Sequence, residues 1–234
     1  MGAKLLLTEE EVDLLEKKEL DFVEKLYNFF KTEREKHKRE EGVYWVTDLV
    51  SCRKKEKYSR MYPELELSYI FNPIFVQGTI LHMGLEHLLE EILTDEGWLV
   101  EIEKEATMTI NPKEHLVSSP IDAPILLKGR IDVYAVNDTT KIGIEIKTAR
   151  ADLSLPHEHH IDQVKMYNTL YGLNESYLIY VTPDRVTQYV VSDKMSLGEI
   201  AKRIVEDAAP RYPWECQYCP FSVLCPRKVT KKVR

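Results

Sequence analysis

The stretch that most constrains this chain is Gly129-Arg130-Ile131-Asp132-Val133-Tyr134-Ala135-Val136, followed by Asn137-Asp138-Thr139-Thr140 and then Lys141-Ile142-Gly143-Ile144-Glu145-Ile146-Lys147. Two alternating runs flank a tetrapeptide of turn-forming residues, which predicts a β-hairpin. With the tetrapeptide as the loop, Val136 pairs with Lys141, and counting outward sets Asp132 opposite Glu145. Strand alternation sends Ile131, Val133 and Ala135 to one face with Ile142, Ile144 and Ile146. It sends Arg130, Asp132 and Tyr134 to the other with Glu145 and Lys147. The first face reads as core. The second gathers two carboxylates and two cations. Facing carboxylates repel each other across a ladder. A divalent cation between them removes the conflict, and hard oxygen donors suit Mg²⁺ or Mn²⁺. The alternative is a plain exposed face on which Lys147 and Arg130 neutralise the acids. A metal held there polarises a phosphate ester and acidifies a water, and Lys147 can stabilise the developing charge or hold the water.

Around this hairpin the pattern is mixed. Residues 8–38 read as a long amphipathic helix, with Thr8 and Glu11 at capping-box spacing and Val12, Leu15, Phe22, Leu26 and Phe29 in one stripe. Residues 43–50 lead into Cys52. A helix is predicted from Asn72-Pro73 to about Leu93, since proline suits a first helical turn. Strands are expected at 99–110, 125–136, 141–148, 176–182 and 186–192, and helices at 157–172 and 195–208. This order predicts an α/β (α+β) fold, a mixed sheet with helices against it. The helix from Pro73 carries His82, with Gly78 one turn earlier on the same face, where a glycine allows close approach. His82 can add an imidazole to the carboxylate site, which favours Mn²⁺ over Mg²⁺. His87 competes with it but has no glycine four residues back, as His82 has. Gln163 and Tyr167 share a face of the 157–172 helix. On periodicity alone they read as a polar stripe.

The four cysteines are Cys52, Cys216, Cys219 and Cys225. Three sit close together in the Pro- and Cys-rich tail and one lies far upstream. Nothing at the N-terminus resembles a signal peptide and no apolar run is long enough to span a membrane, so a cytoplasmic setting is expected. There, cysteines read as metal ligands before disulfides. A three-plus-one set ending in Cys-Pro suits an iron–sulfur cluster better than zinc, which usually takes two close pairs, although zinc stays open. Either metal would staple residue 52 to the tail. Net charge is −7, which argues against a chain that coats nucleic acid through bulk charge and leaves room for a local basic groove. Two basic patches adjoin the cysteines: Arg53, Lys54, Lys55, Lys57 and Arg60; and Arg227, Lys228, Lys231, Lys232 and Arg234. Sparse Asn and Gln beside abundant Glu and Lys point weakly to a thermophilic source.

Taken in order, YWVTDLVSC, GTILHMGLEH, GRIDV, EIKT, QVKMY and CQYCPFSVLCP resemble the fourth CRISPR-associated (Cas) protein family, of archaeal or archaeal-virus type. These are RecB-like exonucleases of the PD-(D/E)XK, restriction-endonuclease-like class with a four-cysteine [4Fe–4S] cluster. The resemblance covers about residues 43–228. It implies His82, Asp132 and Glu145 as ligands of Mn²⁺ or Mg²⁺, Lys147 as catalytic, and Gln163 and Tyr167 as the rest of the active-site motif. It implies all four cysteines as cluster ligands. It also implies cleavage of DNA, chiefly single strands from an end, with some endonuclease activity, during spacer acquisition beside the CRISPR spacer integrase. Three segments are expected: an N-terminal helical extension at 1–42, a nuclease domain at 43–212 and an iron–sulfur segment at 213–234. Arg53, Lys54 and Arg130 are the candidate DNA contacts, and a homo-oligomer is compatible with the sequence. The rival reading is an iron–sulfur DNA-binding or scaffold subunit of the integration complex with only incidental cleavage. A third, a zinc-ribbon regulator, predicts a colourless protein.

Overall fold

The computed structural model describes residues 20–36 and 40–230. The chain divides into two units, residues 1–38 and 39–234. In the first unit, α1 spans Phe22–Lys36, and Asp21 accepts from Glu24 N at 2.9 Å before it. The predicted cap at Thr8 and Glu11 and the stripe residues Val12 and Leu15 lie outside the described residues.

The second unit is built on a mixed sheet. Its elements are β1 (Val43–Trp45), α2 (Val46–Leu49), α3 (Arg53–Met61), α4 (Leu67–Ile70), α5 (Pro73–Asp95), β2 (Leu99–Ile110), α6 (Pro112–His115), β3 (Ile125–Asn137), β4 (Thr140–Thr148), α7 (Glu158–Leu170), β5 (Glu175–Val181), β6 (Val186–Val191), α8 (Leu197–Val205) and α9 (Glu215–Tyr218). β3 is the hub: it pairs with β2 and β4 antiparallel and with β1 parallel. β4 continues the sheet to β5 in parallel, and β6 closes it antiparallel. The α7 crossover between β4 and β5 makes that parallel pair accessible to the chain. Local caps match the sequence. Asn72 accepts from Ile74 N at 3.2 Å ahead of Pro73, and Ser196 and Glu199 form a capping box on α8. The helix α3, over the first basic patch, was not among the expected elements; its sequence RKKEKYSRM has too few apolar residues to show a periodic face.

Both faces of the sheet are covered. On one, Leu85, Leu89 and Leu93 of α5 pack on Val133, Ile144 and Ile146. On the other, Val46, Leu49, Met166, Tyr167, Leu170, Ile200 and Ile204 from α2, α7 and α8 pack on Leu127, Ile131 and Tyr134. The expectation of one apolar and one polar hairpin face is therefore corrected. Ile131 and Val133 belong to opposite cores, and Tyr134 is buried on the face predicted to be polar.

The cause is a break in alternation at Asp132. The β2–β3 register runs Ile102 to Val133 and resumes at Lys104 to Ile131. Between them Glu103 takes a φ of +49°, a region that few residues other than glycine enter. The Tyr171 hydroxyl sits at this break, donating towards Lys104 O at 2.5 Å and Gly129 O at 2.8 Å and accepting from Ile131 N at 3.2 Å. The hydroxyl thus occupies backbone groups that a regular ladder would pair, which holds the kink in place.

The tail packs back on the residues around Cys52. Glu215 Oε1 accepts from Cys52 N at 2.8 Å, Ala208 O accepts from Arg53 N at 3.0 Å, and the Tyr69 hydroxyl donates to Tyr218 O at 3.2 Å. Phe221 is fully buried. Among the described residues no helix is long and apolar enough to cross a membrane.

Candidate active site

The hairpin register is the one the turn chemistry dictates: Val136 pairs with Lys141 and Asn137 with Thr140. The loop is shorter than the expected tetrapeptide. Asp138 accepts a φ of +48° at the turn, as Asp tolerates better than most residues. The paired residues run outward as far as Val133 and Ile144. Beyond that point the Asp132 side chain takes over, and its Oδ2 accepts from Ile146 N at 2.6 Å. Asp132 and Glu145 are thus neighbours because the strands part there, and the acid fills the gap that a backbone carbonyl would otherwise occupy.

Helix α5 supplies the opposite wall. A Cβ on Gly78 would lie 3.2 Å from Thr148 Oγ1, so the glycine lets this helix approach the end of β4 closely. One turn later His82 places Nδ1 at 3.7 Å from Asp132 Oδ2. His87 is exposed and faces Glu90 and Glu91, 4.0 and 3.8 Å away. A residue the sequence reading missed completes the group. Glu86, buried and one turn beyond His82, offers a carboxylate oxygen that lies within 4.8 Å of donors on His82 and Asp132. The signal was present as His and Glu four residues apart on one helix face.

Helix α7 supplies the third wall. Gln163 Nε2 donates to Glu145 Oε1 at 2.7 Å and to the Tyr167 hydroxyl at 3.1 Å, and that hydroxyl donates to Arg130 O at 2.9 Å. Lys147 Nζ pairs with the same Glu145 Oε1. Glu145 is 3% exposed, and its Oε2 is buried with no hydrogen-bond partner among the described residues.

This concentration of acids has a measurable cost. Burial, opposed by Lys147, pushes Asp132 up to about 6. Burial and the Asp132 charge push Glu145 up to about 7. Burial and the Glu103 carboxylate push Glu86 up to about 7. His82 is lowered by burial and by Lys147, which favours the neutral imidazole with one ring nitrogen able to accept. Lys147 is raised: burial opposes its charge, but Glu145 and Asp132 outweigh it. Tyr167 is pushed well up by burial and remains a neutral hydroxyl. Two buried carboxylates and the half-buried Asp132, near one ammonium, form a donor set that fits a hard divalent cation. Opposite ligands of such an ion stand about 4 Å apart, the scale on which His82, Glu86 and Asp132 converge.

The predicted DNA contacts are placed unequally. Arg130 pairs with Glu103 at 3.2 Å beside the site. Arg53 stands 3.8 Å from Glu56 and lies over the Tyr44 ring, its side chain only 10% exposed. Lys54 is half-buried. In the tail, Arg227 pairs with Asp207 at 2.7 Å, while Lys231, Lys232 and Arg234 lie outside the described residues.

No family model matches the chain. A curated relative, the CRISPR-associated exonuclease Cas4 of Saccharolobus solfataricus, is 37% identical over 200 residues, covering 83% of this chain and 92% of the relative. The crystal structure of SSO0001 superposes with a TM-score of 0.80 at 34% identity, covering 89% of this chain and 97% of that one. The sheet, the helices that wall the site and the alignment over nearly the whole length of both proteins agree: this chain belongs to the Cas4 family of CRISPR-associated exonucleases.

Proposed function

We propose that the chain is a divalent-metal-dependent DNA exonuclease that hydrolyses phosphodiester bonds, with single-stranded ends as its preferred substrate. The observation that carries this reading is the convergence of Asp132, Glu145 and Lys147 with His82 and Glu86 at the place where β3 and β4 part. His82, Asp132 and Glu145 would hold Mn²⁺ or Mg²⁺, with Glu86 beside them. When bound, the ion polarises the phosphate and acidifies a water. The protein's own groups do the rest. Lys147 keeps its proton and presents an ammonium to charge developing on the phosphate oxygens. Gln163 fixes the rotamer of Glu145 through Oε1, which leaves Oε2 for a cation or a water. Tyr167 secures Gln163 by accepting from it and ties it to the backbone of Arg130. His82 is neutral and offers a lone pair.

The name of the Saccharolobus relative supports a role in CRISPR systems, and we place the protein in spacer acquisition beside the spacer integrase. The four cysteines would hold a [4Fe–4S] cluster. Cys52 and Cys216 are buried, and Cys219 and Cys225 half-buried, where the tail meets residue 52. Burial raises the Cys52 and Cys219 thiols, and each feels the charge of other cysteines of the set.

The test is cleavage of end-labelled single- and double-stranded DNA with Mn²⁺. The wild type should shorten single strands from an end. Asp132→Ala and Lys147→Ala should each lose at least about 100-fold while remaining folded. Equal activity of the wild type and Asp132→Ala would sink the assignment.

A further inference from the structure

Outside the carboxylate site, a cluster of rings lies where α7 meets the cysteine-rich tail. The His159 ring is 5.1 Å from Trp214 and 5.5 Å from Tyr212. Tyr212 and Trp214 are stacked, 5.9 Å apart and 16° from parallel. His157 is stacked with His159 at 5.5 Å and 13°. The largest ring is the most open: Trp214 is 45% exposed, and the others are half-buried.

Its position relative to the chemistry is set by α7. His159 lies in the first turn of the helix whose next turns carry Gln163 and Tyr167 to Glu145. Burial, then His157 and the Lys147 ammonium, hold His159 down, and burial and Lys147 do the same to His160. The other half of the cluster is fixed by Glu215. Its Oε2 accepts from Arg211 N and Tyr212 N at 2.9 Å each, and its Oε1 accepts from Cys52 N. The rings therefore lie at the start of the helix that carries Gln163 and Tyr167 to the carboxylate site. Every base of a single strand has a π face, and stacking on aromatic side chains is how proteins hold unpaired bases without reading sequence. In duplex DNA those faces are already occupied.

We propose that Trp214, with Tyr212 and His159 behind it, is a stacking site for an unpaired nucleobase of the substrate strand. It positions the strand end for cleavage and favours single strands over duplex. This rests on the reading of the chain as a DNA nuclease. His159, held near 4, is uncharged at neutral pH and acts through its ring.

The test uses the full-length protein with Asp132→Asn, so that bound DNA survives, and two probes of equal length and charge: oligothymidylate and its abasic counterpart. The protein with Trp214 intact should bind oligothymidylate more tightly than the abasic strand. Trp214→Ala should weaken oligothymidylate binding about 5- to 150-fold and leave abasic binding unchanged, and Trp214→Phe should restore most of the loss. Should Trp214→Ala fail to fold, His159→Ala makes the same comparison. Equal affinity of the parent for both probes overturns the proposal. So does an equal loss on both probes in Trp214→Ala, which marks a purely structural role. Absence of cleavage by the wild type would instead remove the nuclease reading itself.

Discussion

Glu86 shows how a single residue changes the electrostatics of the site. It brings a third carboxyl to Asp132 and Glu145, and all three are raised, to about 7, 6 and 7 for Glu86, Asp132 and Glu145. Their ordinary values are 4.5, 3.8 and 4.5. The cation-free native state therefore holds protons that the unfolded chain has lost. The stability these groups contribute is full below their ordinary values and is lost as pH rises through about 6 to 7. Chelator-treated protein should melt at a lower temperature at about pH 8 than at about pH 5, and Mn²⁺ should restore the loss at the higher pH. A melting temperature independent of pH and Mn²⁺ would contradict this. Cation binding must displace the same protons, so Mn²⁺ affinity by calorimetry should rise with pH across this window. Glu86→Gln should raise cation-free stability at pH 8 by about 1–2 kcal/mol and reduce the stabilisation by Mn²⁺. If Glu86 is a bystander, calorimetry will find Mn²⁺ affinity unchanged in that variant.

At the scale of elements, the site depends on how closely α5 approaches β4 and on the break in β3. Gly78 meets Thr148 at the closest point. Gly78→Leu should push α5 off the strand, carrying His82 and Glu86 away, and lower Mn²⁺ affinity at least about 10-fold. Gly84 on the same helix meets nothing within 4 Å, so Gly84→Leu is the control and should change affinity little. Tyr171→Phe leaves Lys104 O, Gly129 O and Ile131 N without the hydroxyl and should cost about 1–3 kcal/mol in denaturant unfolding. A loss under about 0.5 kcal/mol would mean that the kink is self-supporting. The hairpin register was legible because the period and the turn residues leave one simple pairing. The alternation was not. Ile131 and Val133 look equivalent in a β pattern, and what sends them to opposite cores is Glu103 on a neighbouring strand and a tyrosine 40 residues on.

For the whole molecule, the decisive feature is the return of the tail to residue 52. Glu215 bonds Cys52 N with one oxygen and the Arg211–Tyr212 backbone with the other. Cys52 and the ring cluster at Tyr212 thereby share one support. Glu215→Ala should lower bound iron and melting temperature together and weaken single-strand binding, while the His82–Glu86–Asp132 group retains Mn²⁺. Cys52→Ser should lose the iron outright. If purified Cys52→Ser keeps a full complement of iron and sulfide, the upstream cysteine is not a ligand.

The sequence by itself determined five of the six strands, the hairpin register and which residue types could meet at Asp132, because turn chemistry and periodicity act over a few neighbouring residues. The cysteine pattern also announced a link between distant parts of the chain. Only the tertiary structure decided that both faces of the hairpin are buried, that Glu86 joins the acids, and that Tyr212 and Trp214 lie beside His159. Those outcomes depend on contacts between residues far apart in the chain, where packing of α5 and α7 on opposite faces of the sheet overrides the local pattern.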